Sequence, residues 1–476
     1  MNFKKFIPIQ AHELPKFLLT SFMMVLTLYI YSIVRNAKDA IIISNVGAEL
    51  ISTLKLFGVL PFAIIFMVAY TKIIDYLNRV TTYHVVNWFF MSFFIVFDLF
   101  LYPNTHLIHF DLSNMITKLP ALKYFFVMVE NWSYSLFYIM SELWGSMMLS
   151  LMFWQLANQI YSITDAKKFY SLFGFVGQIG LFSAGSFMML FTKTGTTWQT
   201  SLHYITSSIL LSGILLSIAL FVLGNYLVGN DTINGTQTKS KKKKPGLVES
   251  LKYVFSSKYI GLIALLVICY GISINLVEGV WKKLIQIVYP DPKDISNFGG
   301  KVQMYTALAT FTAMLASSFV LRIFSWRTAA IITPIIILIT GVPFFIFVSY
   351  KGWFANTLDV TSTTILFFAV IFGATQNVLS KAIKYSFFDP TKEMAYIPLD
   401  EELKAKGKAA ADVIGGRLGK SGGAIIQWSM LSFITGSTLV SLAPILSIIF
   451  VIVMCIWFIA VIKLNKEFKI KSSGSN

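Results

Sequence analysis

Long apolar stretches recur along the chain and alternate with short polar segments. Many of them contain about 20 residues, the length that an α-helix needs to cross about 30 Å of hydrocarbon. The pattern predicts membrane-spanning helices, because a helix satisfies its own backbone hydrogen bonds in lipid. The fourth stretch is long enough to tilt or to project from the bilayer. We predict twelve spans, at 17–35, 55–74, 84–102, 124–158, 169–191, 204–228, 259–281, 302–323, 328–349, 361–380, 421–439 and 441–463.

The composition agrees with this pattern. The 476 residues are 56% hydrophobic and 13% charged, and the mean hydropathy is +0.70. An ordinary soluble chain has about 25% charged residues, so the composition excludes a soluble globular protein. The first apolar run, 17–34, is too long for the hydrophobic region of a cleavable signal, and we interpret it as the first span. We therefore predict an all-α polytopic membrane protein.

A polar stretch at 230–246, NDTINGTQTKSKKKKPG, separates the sixth span from the seventh and predicts a flexible linker. It divides the chain into an N-terminal six-helix half (1–228), a basic cytoplasmic linker (229–257) and a C-terminal six-helix half (258–476). The C-terminal half includes a charged cytoplasmic segment, 381–420. Basic residues beside the termini and in alternate loops fall on one side, and the positive-inside rule predicts that this side, with both termini, is cytoplasmic.

Charge and cysteine content exclude several classes of function. The net charge of +17 does not require a nucleic-acid partner. In a membrane protein, the lysine and arginine residues that determine topology by the positive-inside rule account for much of the excess. Cys269 and Cys455 lie in apolar runs and predict no disulfide framework. His106, His109 and Asp111 share a loop but lack a fourth ligand, so we predict no metal site.

Charged residues inside predicted spans are candidates for function, because a charge in hydrocarbon costs a few kcal/mol or more. Tyr31, Arg35 and Lys38 share one face at the end of the first span, since they follow the i, i+4, i+7 spacing of a helix. This face predicts an anion-binding cluster at the mouth of a cavity. The alternative is that long basic side chains extend to the membrane interface, and the sequence leaves both readings open.

Acidic residues lie in two further spans. Glu142 shares a helix face with Ser135 and Ser146, whereas its other neighbours are bulky and apolar, so this face is expected to point into a polar cavity. Glu278 and Lys282 form an i, i+4 pair on another span. A purely structural ion pair is the alternative for these two residues.

The charged segment leads into a glycine stripe. Lys384 extends a polar face from the preceding span, while Arg417 and Lys420 carry positive charge to the membrane boundary. Small residues four apart let a helix or a ligand approach the backbone closely. IGGRLGKSGG resembles a phosphate-binding P-loop, but Ile414 stands where that motif needs glycine, so we exclude an NTPase fold. The stripe comprises Gly415, Gly419 and Gly423.

Several basic residues and two acids within the membrane predict transport of a polyanion. Phosphate oxygens accept charge-assisted hydrogen bonds from arginine and lysine, and a triphosphate cannot enter lipid unless a basic cavity replaces its water. Aromatic residues are plentiful at 16%, and Tyr31, Tyr138 or Tyr270 are candidates to flank a base. Packing is the common alternative for such residues. The residues alone therefore predict an anion transporter.

Three long motifs resemble the nucleotide transporter family, the ATP/ADP translocases of plastids and obligate intracellular bacteria. They are SELWGSMMLSLMFWQLANQI (141–160), SINLVEGVWKK (273–283) and KYSFFDPTKEMAYIPLDEELKAKGKAAADVIGGRLGKSGGAIIQ (384–427). The likeness runs over essentially the whole chain and implies about twelve spans in two six-helix halves with a major-facilitator-like fold. Charged residues important in the family match Lys38, Glu142, Glu278 and Lys420. Asn36 departs from the aspartate or serine that relatives often carry.

The resemblance implies an ATP/ADP antiporter of a bacterial inner membrane, which imports host ATP in exchange for ADP and phosphate by alternating access. Lys38, Arg35 and Lys420 are expected to neutralise the phosphates. Glu142 and Glu278 are expected to hold these bases in the empty site or to contact the ribose or base. Lys282, Lys384 and Arg417 complete the predicted substrate-binding set. We predict no catalytic residue and no cofactor; the partners are ATP, ADP and membrane lipid.

Three alternatives remain. One is a structural or receptor membrane protein, which would not be expected to bury charge along the centres of several spans. The chain could transport other nucleotides (GTP, CTP, UTP or NAD) by exchange or by proton symport, with Glu142 and Glu278 as proton carriers. A polytopic membrane enzyme that acts on a lipid belongs to another class. It would need a cluster of catalytic acids or metal ligands at one interface, which the scattered histidine and aspartate residues do not supply.

Overall fold

The computed structural model of the chain describes residues 10–193, 197–229, 232–233, 257–399, 411, 415–434 and 436–473, without the side chains of 163, 164, 166, 167, 193, 417, 472 and 473. Most of the predicted linker, 230–246, and residues 400–410 of the charged segment lie outside this part of the chain.

Twelve long helices make up most of the described residues, which contain no β-strand. Eleven of the twelve, all except α11, are long and apolar enough to cross a membrane, so the predicted all-α polytopic membrane fold is confirmed. The helices are α1 (Leu14–Asn45), α2 (Leu50–Tyr76), α3 (Arg79–Leu101), α4 (Trp132–Ile160), α5 (Ile163–Lys193), α6 (Trp198–Val228), α7 (Lys258–Val288), α8 (Pro292–Ile323), α9 (Trp326–Ser349), α10 (Ser362–Ala395), α11 (Gly416–Phe433) and α12 (Ala443–Ser473).

Side-chain caps mark the start of many of these helices. A hydroxyl or amide oxygen just before the first turn accepts a hydrogen bond from a backbone N–H that has no partner within the helix. The Asn78 side chain accepts from the Thr81 N–H at 2.8 Å ahead of α3. Equivalent caps precede α6, α7, α9 and α10, at Thr197, Ser257, Ser325 and Thr361.

The fourth predicted span is wrong as a single helix over 124–158. A short helix covers Lys123–Glu130, and α4 begins at Trp132 after one intervening residue, Asn131. The Asn131 side chain donates to the Val127 carbonyl at 3.1 Å. The Asn131 backbone N–H donates to the same carbonyl at 3.1 Å, and the apolar pattern does not predict the break that follows.

Two other predicted spans have different bounds in the structure. The span at 361–380 is only the first part of α10, because the helix continues through Lys381 and Lys384 to Ala395. The charged segment therefore begins as a continuation of this helix. The span at 421–439 corresponds to α11, which begins earlier and ends at Phe433.

The helices run alternately between two faces of the bundle. We name these the α1-start face and the α1-end face. At the α1-start face, the Lys16 ammonium donates to the Ile160 carbonyl, and Lys258 pairs with Glu467 at 2.7 Å. At the α1-end face, the Ser201 hydroxyl donates to the carbonyl of Phe191 at 3.0 Å. Helices α1–α6 and α7–α12 form the two halves.

The halves meet along α5 and α8. The rings of Phe175 and Phe311 lie 4.4 Å apart between their centroids. Farther towards the α1-end face, the backbones of Gly185 and Gly300 are in direct contact, because a Cβ atom added to Gly185 would lie 2.5 Å from the Gly300 carbonyl oxygen. Only glycine permits so close an approach of two helices.

Candidate functional site

Seven ionisable side chains meet between the two halves, on α1, α2, α4 and α7. The N-terminal half contributes five of them and α7 of the C-terminal half contributes two. We name this group the central ion cluster. Its members are Arg35, Lys38, Asp39, Lys55, Glu142, Glu278 and Lys282.

Glu278 is shared by three cations. Its carboxylate lies 3.5 Å from the Arg35 guanidinium, 3.6 Å from the Lys55 ammonium and 3.4 Å from the Lys282 ammonium. The Lys55 ammonium also donates to the Asn275 side-chain oxygen at 2.6 Å. One carboxylate of the C-terminal half therefore holds two cations of the N-terminal half.

Asp39 links a second set of contacts. The Lys38 ammonium lies 2.8 Å from the Asp39 carboxylate and 3.1 Å from that of Glu142. It also lies 3.9 Å from the centre of the Tyr138 ring, where the negative face of the ring stabilises the cation. Asp39 accepts from Lys282 at 3.0 Å across the interface between the halves.

The cluster has a buried layer and an open layer. The side chains of Lys38 and Lys282 are 2% and 5% exposed, whereas those of Arg35, Lys55 and Glu142 are 30%, 23% and 23% exposed. Arg35 precedes Lys38 by one turn of α1 and therefore lies nearer the α1-start face. A solute entering from that side would meet Arg35 before Lys38.

The other predicted site residues lie around the cluster. Lys420 is exposed and close enough to Glu142 to act on it electrostatically. The Lys384 ammonium lies 2.9 Å from the Asp389 carboxylate, outside the cluster. The side chain of Arg417 lies outside the described residues.

A glycine contact fixes the position of Lys420. A Cβ atom added to Gly271 of α7 would lie 2.7 Å from the backbone of Gly419 on α11. The predicted glycine stripe therefore admits a neighbouring helix, and Lys420 projects from the turn beside that contact.

Two cations near the cluster were missed as site residues. Lys55 is the first residue of a predicted span, and Lys381 follows the last residue of another, so both resembled ordinary interfacial lysines. Lys381 interacts electrostatically with Arg35 and Glu278. The sequence feature that could have identified them is the apolar run beside each lysine, because it places the lysine within one helical turn of the hydrocarbon region.

A second group of contacts joins the halves at the α1-end face. The Lys283 ammonium lies 2.9 Å from the Glu49 carboxylate and donates to the Gln286 side-chain oxygen at 3.0 Å. The same oxygen accepts from the Ala48 N–H at 3.3 Å. We name Glu49, Lys283 and Gln286 the end-face lock, because they hold α7 against the turn between α1 and α2.

Three helices of the site contain π-helical turns, at Leu54–Val59, Gly145–Phe153 and Lys384–Phe388. Each follows or includes a charged residue, namely Lys55, Glu142 or Lys384. A π-helical turn bonds residue i to i+5 and changes the angular spacing of side chains, and such turns are frequent at functional sites.

Solved transporters share the fold. A D-xylose-proton symporter matches with a TM-score of 0.59 at 12% identity, over 95% of this chain and 97% of that chain. The nucleoside transporter NupG matches with a TM-score of 0.56 at 11% identity, over 94% and 99%. At these identities the likeness concerns the fold alone, and it confirms the major-facilitator-like arrangement of two six-helix halves.

Comparison of sequences extends over nearly the whole chain. ADP,ATP carrier protein 1 of Rickettsia typhi is 42% identical over 97% of this chain and 95% of its own length. The corresponding protein of Rickettsia prowazekii is 41% identical over the same shares. The model of the TLC ATP/ADP transporter family matches residues 2–468. The resemblance noted in the sequence is confirmed, and the chain belongs to the TLC ATP/ADP transporter family.

Proposed function

We propose that the protein is an ATP/ADP antiporter that exchanges nucleotides by alternating access. The observation that carries this proposal is the excess of positive charge between the halves. The central ion cluster holds four cations and three carboxylates, and Lys381 and Lys420 lie within electrostatic range of it. A site with this balance favours an anion of several charges, such as a nucleoside di- or triphosphate.

The relatives support the choice of nucleotide, because they are ADP,ATP carriers of Rickettsia species. The proposed direction is import of host ATP in exchange for ADP and phosphate. The proposed location is a bacterial inner membrane, with both termini in the cytoplasm. The α1-start face is then cytoplasmic, so Arg35 lies on the cytoplasmic side of Lys38.

The phosphates bind to Arg35, Lys38 and Lys420 in this mechanism. Glu142 and Glu278 hold the cations while the site is empty, and the arriving phosphates replace these carboxylates as partners. The 3.5 Å contact between Arg35 and Glu278 is long for an ion pair and is easily exchanged. Lys282, Lys384 and Arg417 remain predicted substrate-binding residues.

Obligatory exchange follows from the same charge balance. If the halves closed over an empty site, its excess cations would be buried without partners, which is energetically costly. A bound nucleotide removes that cost. The empty protein therefore returns slowly, and transport in one direction is coupled to transport in the other.

Proteoliposomes test the proposal. We expect labelled ATP to enter vesicles loaded with ADP at least about tenfold faster than empty vesicles, since a barrier difference of about 1.4 kcal/mol gives that ratio. Equal uptake into loaded and empty vesicles contradicts obligatory exchange.

Competition identifies the substrate. Unlabelled ATP and ADP should suppress the uptake of labelled ATP, whereas GTP, CTP, UTP and NAD should be weaker competitors. If one of these four nucleotides competes more strongly than ATP, that nucleotide replaces ATP as the proposed substrate. Uptake that rises when a proton gradient is imposed would instead favour proton symport, with Glu142 and Glu278 as proton carriers.

A further inference from the structure

Lys381 is a cation of α10 without an ion pair. Its side chain is partly buried, and it has neither a hydrogen bond nor an ion pair among the residues that the structure describes. It interacts electrostatically with Arg35 and Lys282, which repel it, and with Glu278 and Asp39, which attract it. Lys384, one turn later, is paired with Asp389. Lys381 therefore differs from its neighbour in having no fixed counter-ion.

The carboxylates near Lys381 are already engaged. Glu278 contacts three cations and Asp39 contacts two. Glu142 contacts Lys38 and is also acted on by Lys420. Among the residues that the structure describes, the carboxylates that act on Lys381 thus already have cationic partners, and an unpaired ammonium in a partly buried site is unfavourable.

An anion from solution can supply the missing charge. A phosphate group offers several oxygen acceptors, and a lysine ammonium offers three rotatable donors and a compact charge. Helix α10 packs along α7, because the Trp281 indole N–H donates to the Val370 carbonyl at 2.9 Å and the Lys384 ammonium lies 6.0 Å from the centre of the Tyr270 ring. Lys381 lies between these two contacts, beside the helix whose Glu278 contacts the partly exposed Arg35 side chain, so a phosphate that reaches Arg35 also approaches Lys381. We propose that Lys381 is a further phosphate-binding residue of the transport site, acting beside Arg35.

This inference rests on the proposed nucleotide exchange for the source of the phosphate. The same chemistry suits a phosphate of the nucleotide and free inorganic phosphate. Both sources are therefore included as separate arms of the test.

The first experiment measures ATP/ADP exchange by Lys381→Gln in proteoliposomes. Loss of one charge-assisted hydrogen bond is expected to raise the KM for ATP about tenfold or more, and Lys381→Arg should retain most of the affinity. Lys258→Gln is the matched control, because Lys258 is 73% exposed and pairs with Glu467 away from the site. A wild-type KM in Lys381→Gln overturns the proposal.

The second experiment uses the wild-type protein and does not depend on the folding of a variant. An amine-reactive reagent is applied with and without ATP, and with and without inorganic phosphate, and labelling is measured by mass spectrometry. Exposed Lys351 is the internal reference. Protection of Lys381 by ATP assigns the phosphate to the nucleotide, and protection only by inorganic phosphate assigns it to the free ion.

Labelling of Lys381 that neither ligand changes, or that is absent under all conditions, overturns the proposal, because a phosphate-binding amine must be open to the cavity. Failure of the proposed function has a different signature. In that case the wild-type protein does not exchange ATP for ADP, while protection of Lys381 by inorganic phosphate still decides whether this residue binds phosphate.

Discussion

Glu278 is the residue on which the contacts of the site converge. Its carboxylate is 11% exposed and is the shared partner of Arg35, Lys55 and Lys282. Two of these cations belong to the other half. Glu278 therefore neutralises cations of the empty site and, through the same contacts, holds the two halves together.

We predict that Glu278→Gln lowers ATP/ADP exchange at least about tenfold. Removing one member of a buried ion network leaves its partners uncompensated, at a typical cost of about 3–5 kcal/mol. The measurement is the initial exchange rate in proteoliposomes, normalised to the amount of inserted protein.

Glu467→Gln is the control for this change. Glu467 pairs with Lys258 at the α1-start face, where the lysine is 73% exposed, and ion pairs at such exposed positions contribute about 0–1 kcal/mol. Its exchange rate should match that of the wild type. An undiminished rate in Glu278→Gln would mean that the three cations do not depend on this carboxylate.

The sequence alone predicted part of the site. The cost of charge in hydrocarbon identified Arg35, Lys38, Glu142, Glu278 and Lys282, and the structure brings all five together. Whether they bind substrate remains a prediction. The interactions of Lys55 and Lys381 could not be predicted, because their neighbours lie on other helices that are distant along the chain.

At the scale of the helices, the crossing of α7 and α11 depends on two glycines. The two backbones touch at Gly271 and Gly419, and added Cβ atoms would lie 2.7 Å and 3.0 Å from the opposite backbone. This contact determines how deeply α11, and with it Lys420, enters the site.

We predict that Gly419→Ala destabilises the protein by about 1–3 kcal/mol, the usual range for an overpacked contact. Separation of the helices should also displace Lys420 and lower the exchange rate. The measurements are the thermal unfolding midpoint of the purified protein and its ATP/ADP exchange.

Gly416→Ala is the matched control on the same helix, because a Cβ atom there meets nothing within 4 Å. Alanine favours the helix by reducing the freedom of the unfolded chain, so this variant should be at least as stable as the wild type. Equal stability of the two variants would show that the α7–α11 contact tolerates a side chain.

Helix boundaries were less predictable than the helices themselves. Apolar periodicity located the spans because each must cover the same thickness of hydrocarbon. It could not locate the break at Asn131, where the short helix Lys123–Glu130 gives way to α4 within a continuous apolar stretch. The π-helical turns at Leu54–Val59 and Gly145–Phe153 also alter which side chains share a face, so a regular 3.6-residue period misplaces them.

At the scale of the whole molecule, ionic contacts between the halves occur at two levels. One is the central ion cluster, and the other is the end-face lock at the α1-end face. Opening towards the α1-end face requires separation of the Lys283 and Glu49 side chains, so their pairing is expected to bias the balance between conformations.

We predict that charge reversal at either partner, Glu49→Lys or Lys283→Glu, lowers exchange about fivefold, and that the double reversal restores it. A coupling free energy of about 1 kcal/mol corresponds to this factor and is ordinary for side chains in contact. The four exchange rates form a double-mutant cycle. Additive losses in the double variant would mean that the pair does not control opening.

The arrangement of the halves was predictable only in outline. The hydrophobic pattern and the polar stretch at 230–246 indicated two sets of six helices. They contained no information on which helices meet, because α5 and α8 present apolar residues on several sides. The contact of Phe175 with Phe311 is therefore a property of the folded molecule.

The direct contact between Gly185 and Gly300 has a mechanical consequence. Neither glycine has a side chain that must separate from its neighbour when the helices move. One helix can therefore rotate against the other with little resistance as the two halves change their relative orientation. We expect the axis of rotation to pass near this point. Spectroscopic labels on α5 and α8 close to it would keep an almost constant separation during turnover, whereas labels at the two faces would move apart and together in opposite phase.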